Sequence, residues 1–297
     1  MGGPHYRRMD QPLLLGVDGG GTRCRVRIAD AQGQTLGEGQ GAAANVLSDP
    51  EGARASIEEA IGLALREAGL GGTRFEDLIA VLGLAGLDPA DPRAPADWPL
   101  ARFRACRVET DAYIAQAGAF DGDDGAILIV GTGSVGLLVR GAERISVGGY
   151  GAAVSDEGSG AWIGREAVRR ALWAFDRRQP ASRLTAAILA QVGEPPAAQA
   201  WATAARPADY ATLAPLVFAA AQHGDLYATD LLREAADHLR RILARLADAG
   251  AREICLMGGL AEALRPWLKT APIEIVAPRG AALDGALRLA RGLALTQ

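Results

Sequence analysis

Lysine is almost absent from this sequence, because Lys269 is the single lysine among 297 residues. No Gly-Lys pair exists, so the chain has no Walker A phosphate loop. The protein-kinase pattern needs a lysine in an early strand, and the first half of the chain has none. If this protein binds ATP, it must do so without help from lysine.

Cysteine is also sparse. The three cysteines, Cys24, Cys106 and Cys255, lie far apart and form no CxxC or Cys/His cluster. This spacing excludes a visible zinc site and a cysteine-ligated iron–sulfur cluster. We interpret the three side chains as small buried hydrophobes in a reducing compartment.

Long apolar runs and basic stripes are missing as well. The net charge is -4 and the pI is near 5.5, which argues against a nucleic-acid partner. No apolar run approaches the ~18 residues of a membrane span, and the polar N-terminus lacks the apolar region of a signal peptide. We expect a cytoplasmic protein with no membrane partner and a flexible segment over residues 1–12; a homodimer is left open.

The chain repeats one plan twice, a hairpin meander followed by helices, which suggests a duplicated α/β architecture. Apolar runs and alternation predict strands, and apolar residues at helical spacing predict helices. In the first half they predict strands at 13–17, 24–29, 35–39, 78–84 and 107–109, with helices at 50–68 and from 111. In the second half they predict strands at 126–130, 135–140, 145–147, 253–257 and 273–276, with helices at 161–173, 182–192, 210–223, 227–249 and 280–292. A Pro-rich stretch at 88–99 is interpreted as a surface loop.

Two glycine turns follow apolar strands at matching places of this repeat, at 18–22 and at 131–134. Bare backbone N–H groups in such turns can surround phosphate oxygens. One such turn alone is more often an ordinary tight hairpin, but two at equivalent positions favour phosphate binding. Asp18 adds a carboxylate at a strand end, where it can hold a hydrated magnesium ion.

The second turn also matches the dinucleotide-binding fingerprint G-x-G-x-x-G at 131–136, with Asp156 about twenty residues further on. That fingerprint must open a helix. Residues 137–140 instead continue as a strand, so no helix dipole would face a pyrophosphate, and a dehydrogenase is disfavoured.

Several motifs together resemble those of the BadF/BadG/BcrA/BcrD ATPase family and, within it, the N-acetylglucosamine kinases of the sugar kinase/actin/heat-shock ATPase superfamily. They are LGVDGGGT at 15–22, GGYG at 148–151, SDEGSG at 155–160 and WIG at 162–164. The resemblance covers about residues 13–289. It implies a two-lobed actin-like (ribonuclease H-like) α/β fold with duplicated βββαβαβα domains and a cleft. The expected lobes are 13–115 and 116–297, with the last helix, 280–292, packing back on the first lobe.

The resemblance also implies an ATP-dependent sugar kinase that uses Mg²⁺ and phosphorylates an amino sugar, most simply N-acetylglucosamine at its 6-hydroxyl. Asp111 would be the general base and would also contact the sugar, and Asp18 would hold the metal. The remaining implied contacts are Gly20, Gly21, Thr22, Thr132, Gly133, Ala221, Gly258 and Gly259 for ATP, and Asn45, Gly149, Tyr150 and Asp156 for the sugar.

Alternatives remain at each level. The substrate can instead be glucosamine or N-acetylmuramic acid, and a non-catalytic sugar-responsive regulator would retain the same fold. Asp111 can be a helix N-cap, worth ~1 kcal/mol, and Asn45 an ordinary turn residue. Asp156 can be a solvated acid that favours a helix dipole.

Overall fold

A computed structural model of the protein describes residues 12–87, 100–269 and 273–296. The predicted loop at 88–99 and residues 1–11 of the expected flexible segment lie outside this part. The strands are β1 (Leu13–Gly19), β2 (Cys24–Ala29), β3 (Thr35–Gly41), β4 (Leu78–Leu84), β5 (Ala105–Thr110), β6 (Gly125–Val130), β7 (Ser134–Arg140), β8 (Glu143–Gly148), β9 (Glu253–Met257) and β10 (Glu274–Val276). The helices are α1 (Pro50–Glu67), α2 (Asp111–Ala119), α3 (Gly160–Phe175), α4 (Arg183–Val192), α5 (Ala197–Ala204), α6 (Pro207–Ala211), α7 (Ala214–Gln222), α8 (Leu226–Asp248), α9 (Ala261–Leu264) and α10 (Ala282–Leu295).

The chain divides into two compact units. The first unit takes the chain up to Asp123 and the C-terminal segment from Pro278, and the second runs from Asp124 to Ala277. The division therefore falls after Asp123, whereas the sequence-based expectation placed it after residue 115. Helix α10 belongs to the first unit, where it packs on α2 and β1.

The first unit is built on a five-stranded sheet with the order β3-β2-β1-β4-β5. β1 pairs antiparallel with β2 and parallel with β4, and all seven residues of both β1 and β4 are buried. Such continuous burial requires cover on both faces, as in other parallel sheets. Apolar residues of α1 cover one face, and α2 and α10 contact the same central strands.

Small residues bring α2 and α10 close to each other and to the sheet. A side chain at Gly118 would meet the backbone of α10's N-terminal end, and one at Gly285 would meet the backbone of α2. A Cβ at Gly16 of β1 would lie 3.2 Å from side-chain atoms of α10. Close backbone approach of this kind needs glycine, and it fixes where the first residue of α2 lies.

The second unit repeats the first sheet with the order β10-β9-β6-β7-β8. β6 pairs antiparallel with β7 and parallel with β9, as β1 pairs with β2 and β4. The 23-residue helix α8 places a buried apolar stripe on this sheet, including Leu239, Leu243 and Leu246. Both sheets therefore follow one strand order, and the predicted duplicated two-lobed α/β fold is confirmed.

The sequence-based helix boundaries were wrong in one region. Residues 210–223 were predicted as one helix, but α6 ends at Ala211 and α7 begins at Ala214. Pro215 explains the break, since proline fits the first turn of a helix and not its interior. Helix α5 was not predicted. None of the helices in the described ranges has the length and apolarity needed to cross a membrane.

Candidate active site

The carboxylate of Asp18 lies at the C-terminal end of β1, almost completely buried. Its neighbour across the β1–β2 hairpin is Arg25, which is its register partner. Arg25 Nε donates to Asp18 Oδ2 over 3.1 Å, and Arg25 Nη2 donates to the same oxygen. Both donors bind the same oxygen. The two side chains meet because their residues are register partners across the hairpin.

A row of aligned residues runs across the first sheet at this level. Asp18 of β1 is in register with Arg25 on one side and Gly83 of β4 on the other, and Gly83 is in register with Glu109 of β5. A side chain at Gly83 would clash with Ile114 of α2. Gly83 thus leaves space for Ile114. The packing of Ile114 at this position brings the beginning of α2 to the C-terminal ends of the strands, beside Asp18.

Asp111 is the first residue of α2. The N-cap is the preceding residue, Thr110, whose Oγ1 accepts a hydrogen bond from the Tyr113 N–H over 3.0 Å. The interpretation of Asp111 as the helix N-cap is therefore wrong. Its Oδ1 accepts from the Ala112 N–H over 2.8 Å, which fixes the orientation of the carboxylate.

Burial raises the pKa of Asp111 to about 6, and the negative charge of Asp18 adds to this shift, while the Ala112 N–H opposes it. Asp18 and Asp111 are thus close enough to interact electrostatically. A carboxyl group with a pKa near the working pH is suited to accept a proton. The two carboxyl groups therefore differ: Asp111 has a raised pKa, and Asp18 is ion-paired with Arg25.

The donor set at this edge fits a magnesium ion that arrives with ATP. Mg²⁺ is usually bound by one or two carboxylates together with substrate phosphates, and it retains several waters. Within the described ranges no three His, Cys, Asp or Glu side chains cluster as a metal cage. Asp18 is the carboxylate that would contribute to such a set.

The first glycine turn, 20–23, lies directly beyond Asp18. The Gly20 N–H donates to the Arg23 carbonyl over 3.0 Å, and the Gly20 carbonyl accepts from the Ala44 N–H. Gly21 and Thr22 are exposed, and an added Cβ at Gly21 would find no atom within 4 Å. Gly21 and Thr22 thus lie on the exposed side of the turn, whereas the backbone groups of Gly20 are bonded within the protein.

Asn45 lies in the segment after β3, bridged to Ala85 at the end of β4. Its side-chain oxygen accepts from the backbone N–H groups of Leu47, over 3.0 Å, and of Ser48, over 3.1 Å. Asn45 is therefore at least a turn residue, as the alternative interpretation proposed. Its oxygen is committed to the turn, so any role in sugar binding would fall to its amide N–H groups.

In the second unit the equivalent glycine turn is tied to α3. The carbonyl oxygens of Gly131 and Thr132 accept from the N–H groups of Gly160 and Ala161, over 2.8 and 3.1 Å. Ser159 caps α3 by accepting from the Trp162 N–H. This turn is consequently held against the first turn of α3, whose first N–H groups are used in holding it.

The structure places Asp156 against this second turn. Its Oδ1 accepts from the Ser134 N–H over 3.4 Å, and a Cβ at Gly133 would lie 2.9 Å from its Oδ2. Asp156 has a positive φ of 61°, which is uncommon for a residue other than glycine. Burial raises its pKa and the neighbouring Glu157 adds to that, whereas the Ser134 N–H opposes it. Asp156 is thus a buried, constrained acid and not a solvated one.

Gly149 and Tyr150 belong to the loop between β8 and α3. Gly149 has a φ of 79°, and Tyr150 exposes 76% of its surface. Arg165 of α3 donates to the Ala152 carbonyl of this loop over 2.7 Å. The loop therefore presents an aromatic ring to solvent from a backbone that is held on α3.

Ala221 and the Gly258-Gly259 turn, the predicted adenosine contacts, both belong to the second unit. Ala221 of α7 and Leu260, which follows the turn, pack against the same apolar cluster. Gly258 has a φ of 93°, and a side chain there would meet the Val130 carbonyl at the end of β6. The turn thus lies beside the strand that leads into the second glycine turn.

Sequence reasoning missed Arg25 and Arg165. The position of Arg25 could have been predicted, because a hairpin with four residues between Gly19 and Cys24 brings positions 18 and 25 opposite each other. Arg165 acts through a tertiary contact, which no local pattern indicates. Trp162 of the WIG motif is buried, with its ring edge-on to that of His238.

Comparison with known proteins adds independent findings. The model of the BadF/BadG/BcrA/BcrD ATPase family matches residues 15–287. Glucosamine kinase GspK of Vibrio cholerae is 36% identical over 279 residues, covering 93% of this chain and 95% of that protein. An N-acetylmuramic acid/N-acetylglucosamine kinase of Clostridium acetobutylicum is 31% identical over 241 residues, 76% of each chain. The crystal structure of a proposed N-acetylglucosamine kinase from Chromobacterium violaceum superposes with a TM-score of 0.87 at 35% identity, covering 94% of this chain and 99% of that one.

Proposed function

Because this chain belongs to the BadF/BadG/BcrA/BcrD ATPase family, we propose that it is a kinase that transfers the γ-phosphoryl group of ATP to a hydroxyl of an amino sugar. The observation that carries this proposal is the electrostatic interaction of Asp18 with Asp111: burial raises the pKa of Asp111, and the charge of Asp18 adds to that shift. Phosphoryl transfer needs charge neutralisation on the phosphates and a base beside the attacking hydroxyl, and this pair supplies one group for each task.

Asp18 would hold Mg²⁺ shared with ATP. Bound magnesium would neutralise charge on the phosphate oxygens and help to align them. The exposed turn residues Gly21 and Thr22, together with Gly20, would contact the phosphates. Thr132 and Gly133 are further proposed phosphate contacts, as the family resemblance implies.

Asp111 would accept the proton of the sugar hydroxyl as that oxygen attacks the phosphorus. Its Oδ1 is already oriented by the Ala112 N–H, so the carboxylate needs little rearrangement before it acts. General bases of this kind contribute about 10²–10⁴-fold in rate. Because intracellular ATP is the phosphoryl donor, we place the reaction in the cytoplasm.

The sugar proposed from the sequence is N-acetylglucosamine, phosphorylated at the 6-hydroxyl, and Asn45, Gly149, Tyr150 and Asp156 are its proposed contacts. Glucosamine is the second candidate. It is favoured by the 36% identity to a glucosamine kinase over 93% of the chain, and the buried acid Asp156 beside Glu157 would suit an ammonium group.

A substrate panel tests this proposal. The purified protein is incubated with Mg·ATP and N-acetylglucosamine, glucosamine, N-acetylmuramic acid or glucose, and ADP release is followed by a coupled assay. We expect turnover on one amino sugar well above that on glucose, with a phosphorylated product detected by mass spectrometry. Sugar binding without ADP release on any member of the panel would instead identify a non-catalytic sugar-responsive protein and contradict the kinase.

A further inference from the structure

The loop between β8 and α3, residues 149–159, contains Tyr150 and Asp156, two of the proposed sugar contacts. Its backbone has positive φ values at Gly151, 91°, and at Gly158, 79°. Glycine reaches such conformations without strain, but it also leaves the backbone free to adopt others. The loop therefore needs contacts from outside its own sequence to keep a single conformation.

Arg165 of α3 supplies such a contact in the middle of the loop. Its Nη1 donates to the Ala152 carbonyl over 2.7 Å, and a hydrogen bond from a charged donor is stronger than one between neutral groups. The Gly151 carbonyl accepts from the N–H groups of Val154, over 3.2 Å, and of Ser155, over 2.8 Å. These residues form one turn, so Arg165 holds the turn and not a single residue.

The same turn contacts the carboxylate of Asp156. The Gly151 N–H is one of the hydrogen-bond donors to that carboxylate. Gly151 follows Tyr150 in the sequence and precedes Ala152, the residue whose carbonyl is held by α3. A shift of the turn would therefore move a donor away from Asp156 and reorient the Tyr150 ring.

Helix α3 is a firm support for this contact. Ile163, Ala167 and Ala171 are fully buried on its inner face, in an apolar cluster with residues of α4, α7 and α8. Protein interiors are packed as closely as organic crystals, so a helix buried in this way does not shift easily. A side chain that extends from α3 to the loop consequently fixes the position of the loop relative to the core of the second unit.

Ion pairing does not account for the position of Arg165. Its Nε lies 3.9 Å from Glu166 Oε1, too far for a hydrogen bond. Glu166 instead accepts from Arg169 with both oxygens, over 2.8 and 2.9 Å. The Nε of Arg165 is buried and has no hydrogen-bond partner among the described residues, which costs stability. This arrangement favours a role in holding the loop over a role in stabilising α3.

On the premise of the proposed kinase function, we propose that Arg165 is a positioning residue for sugar binding, which holds the β8–α3 loop so that Asp156 and Tyr150 meet the sugar in one conformation. Arg165 does not itself contact the sugar. Because the loop is ordered before the sugar arrives, binding does not include the free-energy cost of ordering it. Loss of Arg165 should therefore weaken sugar binding and leave the ATP-binding groups outside the loop unaffected.

The Arg165→Met variant tests this proposal, because it removes the donor to the loop and retains a long side chain. Calorimetry without nucleotide measures the Kd for N-acetylglucosamine and for glucosamine, and steady-state kinetics with Mg·ATP measure KM and kcat. We expect the Kd and the KM of the sugar to rise about tenfold, with the KM of ATP and kcat within about twofold of the wild type. A purely structural role would lower the Tm and the active fraction, and hence kcat, without changing the Kd.

Arg170→Met is the matched control. Arg170 lies on the same helix, its Nη1 also donates to a backbone carbonyl, that of Tyr227 in α8, over 3.1 Å, and it pairs with Glu234. This contact is outside the loop, so the control should lower the Tm without changing the Kd of the sugar. An equal rise of that Kd in both variants, or no rise in Arg165→Met, would overturn the assignment.

Arg165→Lys keeps the charge and one flexible donor, so its Kd for the sugar should lie between those of the wild type and Arg165→Met. If Arg165→Met does not fold, a wild-type Kd in Arg165→Lys overturns the proposal and a raised one supports it. A wild type that binds a sugar of the panel without turnover refutes the kinase, and the calorimetric comparison still tests Arg165. An active wild type with an unchanged sugar Kd in Arg165→Met refutes only the role of Arg165.

Discussion

The two units build the same five-stranded sheet and place a glycine turn after the same strand, yet the turns differ in charge. In the first unit the turn follows Asp18, and Arg25 lies across the hairpin. In the second the corresponding hairpin pairs Val130 with Ser134, and the nearby acid, Asp156, comes from a later segment. The shared strand order therefore determines where each turn lies, whereas the residues that flank the turn determine its chemistry.

This difference suggests a division of tasks. The first unit has the Asp18–Arg25 ion pair and the Asp111 carboxyl group, whose pKa is raised. We propose Asp18 for metal binding and Asp111 for proton transfer. The second has backbone groups held by α3 and a glycine turn at 258–259, which suit the phosphates and the adenosine.

Asp18→Asn should abolish most turnover while the fold survives. The amide keeps the size of the side chain but loses the charge for a metal, which supplies several kcal/mol of transition-state stabilisation. We expect kcat to fall about 10³-fold, or roughly 4 kcal/mol. Glu38→Gln is the matched control, because it breaks the neighbouring Arg27 ion pair, and it should change kcat by less than about twofold. Similar kinetics for both variants at saturating magnesium would remove Asp18 from the site.

The pH dependence of kcat/KM should reveal the titration of Asp111. With a pKa of about 6 in the free protein, kcat/KM should be level above pH 7 and fall tenfold per pH unit well below pH 6. Measurement between pH 4.5 and 8.5, with coupling enzymes in excess, gives the midpoint. An acid limb centred near pH 4 would mean that Asp111 titrates normally and is not the group that the structure describes.

The same pKa predicts a stability effect with a defined sign. Between pH 3.8 and about 6 the unfolded chain loses the Asp111 proton while the folded protein keeps it, so stability falls as pH rises through this window. Above pH 6 the cost is complete, and it amounts to roughly 2 to 3 kcal/mol. Asp111→Asn should therefore raise the free energy of unfolding at pH 8 by up to that amount and have little effect near pH 4. Denaturant unfolding at both pH values measures it; a variant that is less stable at pH 8 would contradict the raised pKa.

The two glycine turns should also differ in tolerance to a methyl group. An added Cβ at Gly133 would lie 2.9 Å from the Asp156 carboxylate, whereas one at Gly21 would find open space. We expect Gly133→Ala to destabilise the protein by about 1–3 kcal/mol and Gly21→Ala to stay within about 0.5 kcal/mol. Thermal unfolding without nucleotide compares them. Equal destabilisation would show that the turns do not differ as described.

Much of the fold could be predicted because hydrophobic pattern and turn residues determine it locally. The strand at 24–29 and the one at 253–257 have the bounds expected from apolar alternation. The break between α6 and α7 was missed although Pro215 signals it. Helix α5, by contrast, has only Ala198 buried, so it offers no strong periodic apolar face to recognise.

The site was less predictable than the fold. The positions of Asp18 and Asp111 at strand and helix ends can be read from the sequence, but the electrostatic interaction between them depends on the packing of Ile114 against Gly83. The contact of Asp156 with the second turn joins residues 22 positions apart. No local pattern encodes it, so the sequence assigned Asp156 only by resemblance.

The most direct test of the account is the rate of the Asp111→Asn variant on the amino sugar that the panel identifies. Because Thr110 caps α2, the substitution leaves the cap intact and removes only the proton acceptor. The account predicts a fall in kcat of at least about a hundredfold, with the affinity for Mg·ADP within about twofold of the wild type. A variant that turns over at close to the wild-type rate would contradict it, and would show that Asp111 is not the base.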